Sequence, residues 1–130
     1  MRVKGKETNL RTDLPHLSAK EVQIIDEVLR CLKRRYRRSL KQVILYGLNA
    51  RRDATGESDI DLLVVLSKAA DFWRTLEGMG EIAEEILLRD GVLVSALPVD
   101  GARLRERRAS PFFMNVKREG IAIYGPSSSS

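Results

Sequence analysis

The chain is poor in the side chains that staple small folds or hold soft metals. It has one cysteine, Cys31, and one histidine, His16, so neither a disulfide nor a Cys/His metal centre can be built within one copy. Any metal must therefore be held by oxygen ligands. The longest apolar stretches, Gln42 to Tyr46 and Ile60 to Leu66, fall far short of the roughly 20 residues that a helix needs to cross a bilayer. No membrane partner is expected. Met1 to Asn9 is basic but lacks an apolar h-region, so nothing points to export, and a cytoplasmic location is the expectation. Internal repeats are also lacking.

The 130 residues are 43% hydrophobic and 32% charged, enough apolar content for one core and enough charge for a wetted surface. The net charge of +5 favours acidic partners without choosing among nucleotides, RNA and acidic proteins. The organisation expected is a flexible lead-in over residues 1–17, one domain over 18–124, and a disordered serine-rich tail over 125–130.

Ser18 and Glu21 form a capping-box pattern, and Val22, Ile25, Val28, Leu29, Leu32 and Tyr36 follow at helical spacing, predicting a helix to about Arg35. Its end carries Arg30, Lys33, Arg34, Arg35, Arg37 and Arg38, where the helix dipole favours cations. Gln42 to Tyr46 reads as a short buried strand halted by Gly47, and Asp59 to Leu66 as a second strand. Gly47 to Ser58, rich in Gly, Asn, Asp and Arg, reads as a binding loop. A helix is expected from about Ala69 to Gly91, weakened by Gly78 and Gly80. A strand follows from Val92 to Leu97, bounded by Pro98. Ser110 and Pro111 open a short helix to about Glu119, and Ile121 to Tyr124 adds an edge strand. The sum is an α/β (α+β) domain, a small mixed sheet with helices packed on it.

Strand side chains alternate faces, so Asp59 and Asp61 point the same way, with Cα atoms ~6.5 to 7 Å apart. Two carboxylates so placed can converge on one divalent cation, and magnesium suits them because it takes carboxylates together with phosphate oxygens. An isolated Asp-x-Asp is more often a loop end and an arginine partner. Here it follows a buried strand, a glycine and Arg51, where backbone N–H groups and a cation can grip a triphosphate.

The segments Val43-Ile-Leu-Tyr-Gly-Leu-Asn-Ala-Arg and Ser58-Asp-Ile-Asp-Leu-Leu-Val resemble the minimal nucleotidyltransferases of the DNA polymerase beta superfamily. Gly47, Ala50, Arg51, Ser58, Asp59 and Asp61 match the family pattern in order and spacing, and the helix opened by Ser110-Pro-Phe-Phe is similar to these proteins' C-terminal helix. The resemblance covers about Leu40 to Tyr124. It implies that Asp59 and Asp61 are catalytic ligands for Mg2+, that Gly47, Leu48, Asn49, Arg51 and Ser58 border the nucleotide, and that a hydroxyl attacks the α-phosphorus to release pyrophosphate.

Two positions depart from the pattern. Leu48 replaces the motif serine and Arg52 its second glycine, while Val92 to Leu97 has no counterpart to the third aspartate of active relatives, whose place falls to Leu93 or Ser95. Two functions therefore stay open. One is a magnesium-dependent transferase moving a nucleoside monophosphate, most simply from ATP, to a protein or small-molecule hydroxyl. The other is a catalytically weakened binding module, similar to the antitoxin partners of HEPN toxins. An RNA surface at Arg34 to Arg38 is disfavoured, because Tyr36 is the lone aromatic there. Cys31 reads as an inert thiol and His16 as a residue of the lead-in.

Overall fold

The computed structural model describes residues 17–50, 58–67, 72–107 and 109–125, with backbone alone for 47–50 and 58. The expected lead-in apart from Leu17, the tail beyond Gly125, His16, Arg51, Arg52 and the centre of the expected loop lie outside these residues.

Helix α1 spans Ala19–Tyr36 and starts as the capping box implies. The Glu21 N–H donates to Ser18 Oγ at 3.1 Å and the Ser18 N–H to Glu21 Oε1 at 2.9 Å, so two of the helix's orphan donors are satisfied reciprocally. A 3-10 turn, Arg37–Ser39, leads into strand β1, Leu40–Ala50. Strand β2 is Ser58–Leu66, helix α2 is Phe72–Asp90 and strand β3 is Leu93–Asp100. Helices α3, Gly101–Glu106, and α4, Pro111–Glu119, precede strand β4, Ile121–Tyr124.

The strands form one mixed sheet in the order β3-β2-β1-β4. Antiparallel ladders join β1 to β2 and to β4, and a parallel ladder joins β2 to β3 through the crossover helix α2. One sheet face carries Val43, Leu45, Ile60, Leu62, Val64 and Leu66 into a core shared with Ile25, Val28 and Leu32 of α1 and Met79 and Ile86 of α2. The opposite face carries Ile44, Leu63, Val65 and Val99 against Val116 of α4, with Leu104 of α3 and Phe113 of α4 alongside. Over its last residues β2 is apolar on both sides, as a central strand covered on both faces must be.

Several expected boundaries are corrected. Gly47 does not stop β1. The ladder runs on from Gly47↔Asp61 to Ala50↔Ser58 after a one-residue bulge at Tyr46, because β2 supplies backbone partners that a lone Tyr-Gly pair does not reveal. Of the expected loop, residues 51–57 lie outside the described residues. Strand β3 also runs past its expected end, through Pro98 to Asp100. A proline is tolerated there because β3 is an edge strand, whose outer side needs no N–H. Helix α3 was not expected; its six residues are too few for a periodic signal, although Asp100 caps it by accepting from the Ala102 N–H at 2.8 Å.

Gly78 lies within α2, which is continuous through it. It is buried where α2 crosses α1, and a Cβ there would meet Tyr36 Oη at 3.1 Å and the Arg35 guanidinium at 3.2 Å. Arg89 fastens the same pair of helices, donating to Glu27 Oε1 at 2.6 Å and Oε2 at 3.0 Å. Two glycine substitutions separate packing from propensity. At Gly120, a Cβ would press on Ile44 Cγ2 at 2.6 Å and on the Val116 carbonyl, so Gly120→Ala is expected to cost about 1 to 3 kcal/mol in urea denaturation. Gly80 has open space around it in mid-helix, and Gly80→Ala is expected to stabilise by about 0.5 to 1 kcal/mol.

Candidate active site

The site is set by a change of character along β2. Leu63 and Val65 fill the α3/α4 side of the sheet, and two and four residues earlier the same side is given to Asp61 and Asp59. Both aspartates are half-buried. They occupy one extended segment and one face, as expected, because both pair in register with their neighbours: Asp61 lies between Gly47 of β1 and Ser95 of β3, and Asp59 between Asn49 and Leu93.

Burial raises the Asp61 carboxyl above the usual carboxylate range, and the negative charge of Asp59 raises it further. Two like charges are thus held near each other in a partly desolvated place, an arrangement that a cation relieves. Two carboxylates leave most of an octahedral shell for phosphate oxygens and water, as magnesium prefers. Among the described residues no group of three or more His, Cys, Asp or Glu side chains gathers in a metal-binding cluster. The two oxygen donors of Asp59 and Asp61 suit a hard cation that also takes oxygens from a ligand.

Of the other expected residues, Gly47, Leu48 and Asn49 line the β1 side of the aspartate segment through the backbone ladder, and Ser58 opens β2 opposite Ala50. Arg51 lies outside the described residues. The parallel register sets Ser95 beside Asp61 and Leu93 beside Asp59, the two positions expected for the missing third carboxylate.

Tyr46 is a residue that sequence reasoning missed at this site. As the bulged residue it packs with the α3/α4-side core, where its ring meets Phe112 edge-on at 5.6 Å, and Phe112 in turn meets Phe113 at 5.1 Å. Burial raises the Tyr46 hydroxyl above its ordinary range, and the charge of Asp61 raises it further. Tyr46 thus stands near Asp61 and is backed by Phe112, which is 40% exposed. The only trace of this in the sequence is a tyrosine before a glycine, which reads as a strand end.

The raised Asp61 carboxyl fixes a sign. Between its ordinary and its raised value the folded chain binds more protons than the unfolded chain, so this group's contribution to stability falls as pH rises through that window. In chelator, urea denaturation is expected to show Asp61→Asn gaining stability relative to the unsubstituted chain at pH 7 compared with pH 3. Equal differences at both pH values would show that Asp61 is not strained by its surroundings.

With this geometry in view, the likenesses to known proteins are specific. Residues 29–129 match the family described as polymerase beta, nucleotidyltransferase. A putative protein adenylyltransferase of Methanocaldococcus jannaschii is 34% identical over 105 residues, covering 80% of this chain and 98% of that protein. Among solved structures, the toxin–antitoxin complex MntA–HpeT, in a mutant form, has a chain with a TM-score of 0.50 at 15% identity, covering 80% of this chain and 75% of its own. That likeness concerns the fold alone. The family match spans most of the chain and takes in both aspartates, and the chain belongs to the polymerase beta nucleotidyltransferase family.

Proposed function

We propose that the chain transfers a nucleoside monophosphate, most simply AMP from ATP, to a hydroxyl group of a protein or small molecule, with Asp59 and Asp61 holding magnesium. The observation that carries this reading is the pair of half-buried aspartates on one face of β2, the nearer to the core disfavoured as a bare anion. The adenylyltransferase relative, similar over nearly its whole length, supports the choice of donor and of a protein acceptor.

In the reaction the acceptor oxygen forms a bond to the α-phosphorus, the bond from that phosphorus to the bridging oxygen breaks, pyrophosphate leaves, and the hydroxyl proton passes to solvent. A bound divalent cation would supply charge neutralisation to the phosphate oxygens. The chain's own contribution is to position and to exclude water. Backbone groups at Gly47, Leu48 and Asn49, with Arg51 and Ser58, border the triphosphate in this reading, and Tyr46, backed by Phe112, stands near Asp61. A cytoplasmic setting, where nucleotide and magnesium abound, belongs to the same proposal.

A second reading is favoured by two particulars. Leu48 stands where a phosphate-binding serine is usual, and Ser95 rather than a carboxylate lies beside Asp61. A domain so altered fits a binding module that clamps or modifies a helical toxin partner of HEPN type, and the toxin–antitoxin complex among the fold's neighbours supports that role.

Transfer of label from α-labelled ATP to a co-expressed partner protein distinguishes the readings. The first expects labelling that needs a divalent cation and falls on the order of 100-fold or more in Asp59→Asn and in Asp61→Asn. It also expects Ser95→Asp, which supplies a third carboxylate, to raise the labelling rate. A partner that binds unlabelled, with affinity unchanged in both aspartate variants, would leave only the binding module.

A further inference from the structure

The basic end of α1 gains in the fold what it lacks in the sequence. Tyr124, at the far end of the chain, is brought against it by β4, because Tyr124 pairs with Val43 of β1 and packs on the α1 side of the sheet. The result is an open basin of about 680 Å³ lined by Lys33, Tyr36, Arg37, Arg38, Ser39 and Tyr124. Three cations and two aromatic rings face it, and among the described residues no acidic side chain lines it.

The parts are held in place. Lys33 Nζ sits over the Tyr124 ring, 5.1 Å from its centroid. Tyr36 donates its hydroxyl to the Thr75 carbonyl at 3.3 Å, which fixes the second ring. Arg37 and Arg38 are exposed, and among the described residues neither forms an ion pair. Arg37 also has φ 49° and ψ −121°, a conformation natural to glycine and strained for arginine. Among the described residues, an unpaired guanidinium is thus kept at a strained backbone position in the lining of this basin.

We infer that this basin binds the phosphate backbone of a single-stranded nucleic acid. Guanidinium forks match phosphate oxygens, and rings beside them offer faces to sugars or bases. The breadth and openness of the basin suit a passing strand rather than an enclosed small nucleotide. It is separate from the carboxylate pair. Tyr124 is the partner of Val43 and Asp61 of Gly47, about 13 Å apart along β1, and they lie on opposite faces of the sheet. The inference therefore does not rest on the transfer reaction proposed above.

The test is fluorescence anisotropy of the full chain with a labelled oligouridine, in chelator so that the carboxylate site cannot hold magnesium. Three neutralised phosphates give a slope of log affinity against log salt of about −2. The double substitution Arg37→Gly with Arg38→Ala is expected to weaken binding at least tenfold and to reduce the slope by more than half. Arg103→Ala with Arg105→Ala, on α3 across the sheet, removes the same charge and is expected to leave affinity within twofold. Arg37→Gly alone should raise the melting temperature while weakening binding, which separates loss of the site from loss of the fold. The inference is overturned by no binding at low salt, by equal weakening in the two double variants, or by ATP displacing the strand at matched phosphate concentration.

Discussion

The structure turns on the pairing of β2 with both neighbours. Because β2 is central, its register fixes which side each residue faces, and a slip of one position would send Asp59 and Asp61 into the apolar layer beneath α1 and α2. Ile60, Leu62, Val64 and Leu66 make that slip costly, since all four are buried against these helices. The hydrophobic alternation that holds the sheet to its helices is thus the same constraint that aims the two carboxylates at the other side. Fold and site are specified by one strand.

The cost of the site is local and electrostatic. Leu63 and Val65 continue the apolar layer toward α3 and α4, and Asp61 stands at its border, close enough to lose hydration and to feel Asp59. The bulge at Tyr46 adds to this by turning an aromatic ring onto the same side, where Phe112 meets it. Cation and nucleotide would find a partly dry, negatively charged border between core and solvent, in which electrostatic interactions are stronger than in water.

Much of this was legible in the sequence for reasons that are physical rather than statistical. The capping box at Ser18 and Glu21, the alternation of β2 and the Ser110–Pro111 helix start are local signals, and the structure carries all three. The α/β fold class was legible from the order of helix and strand signals and the family from the resemblance carried by Gly47, Ala50, Arg51, Ser58, Asp59 and Asp61, and the mixed sheet and the family match bear both out. What escaped depended on partners distant in the chain. Whether Gly47 ends a strand or follows a bulge is decided by β2, whether Pro98 ends β3 is decided by its place at the sheet edge, and the company of Tyr124 at the basic end of α1 is decided by β4. The site roles of Gly47, Leu48, Asn49, Arg51 and Ser58 are read from the motif rather than from contacts.

The central claim is that Asp59 and Asp61 act together as the ligands of a cation that carries a triphosphate. Calorimetric titration of ATP into the chain, with and without magnesium, addresses it before any acceptor is known. The account predicts saturable binding that requires magnesium and is lost in Asp61→Asn while the variant stays folded. Binding of equal strength with and without magnesium, or unchanged in the variant, would contradict it.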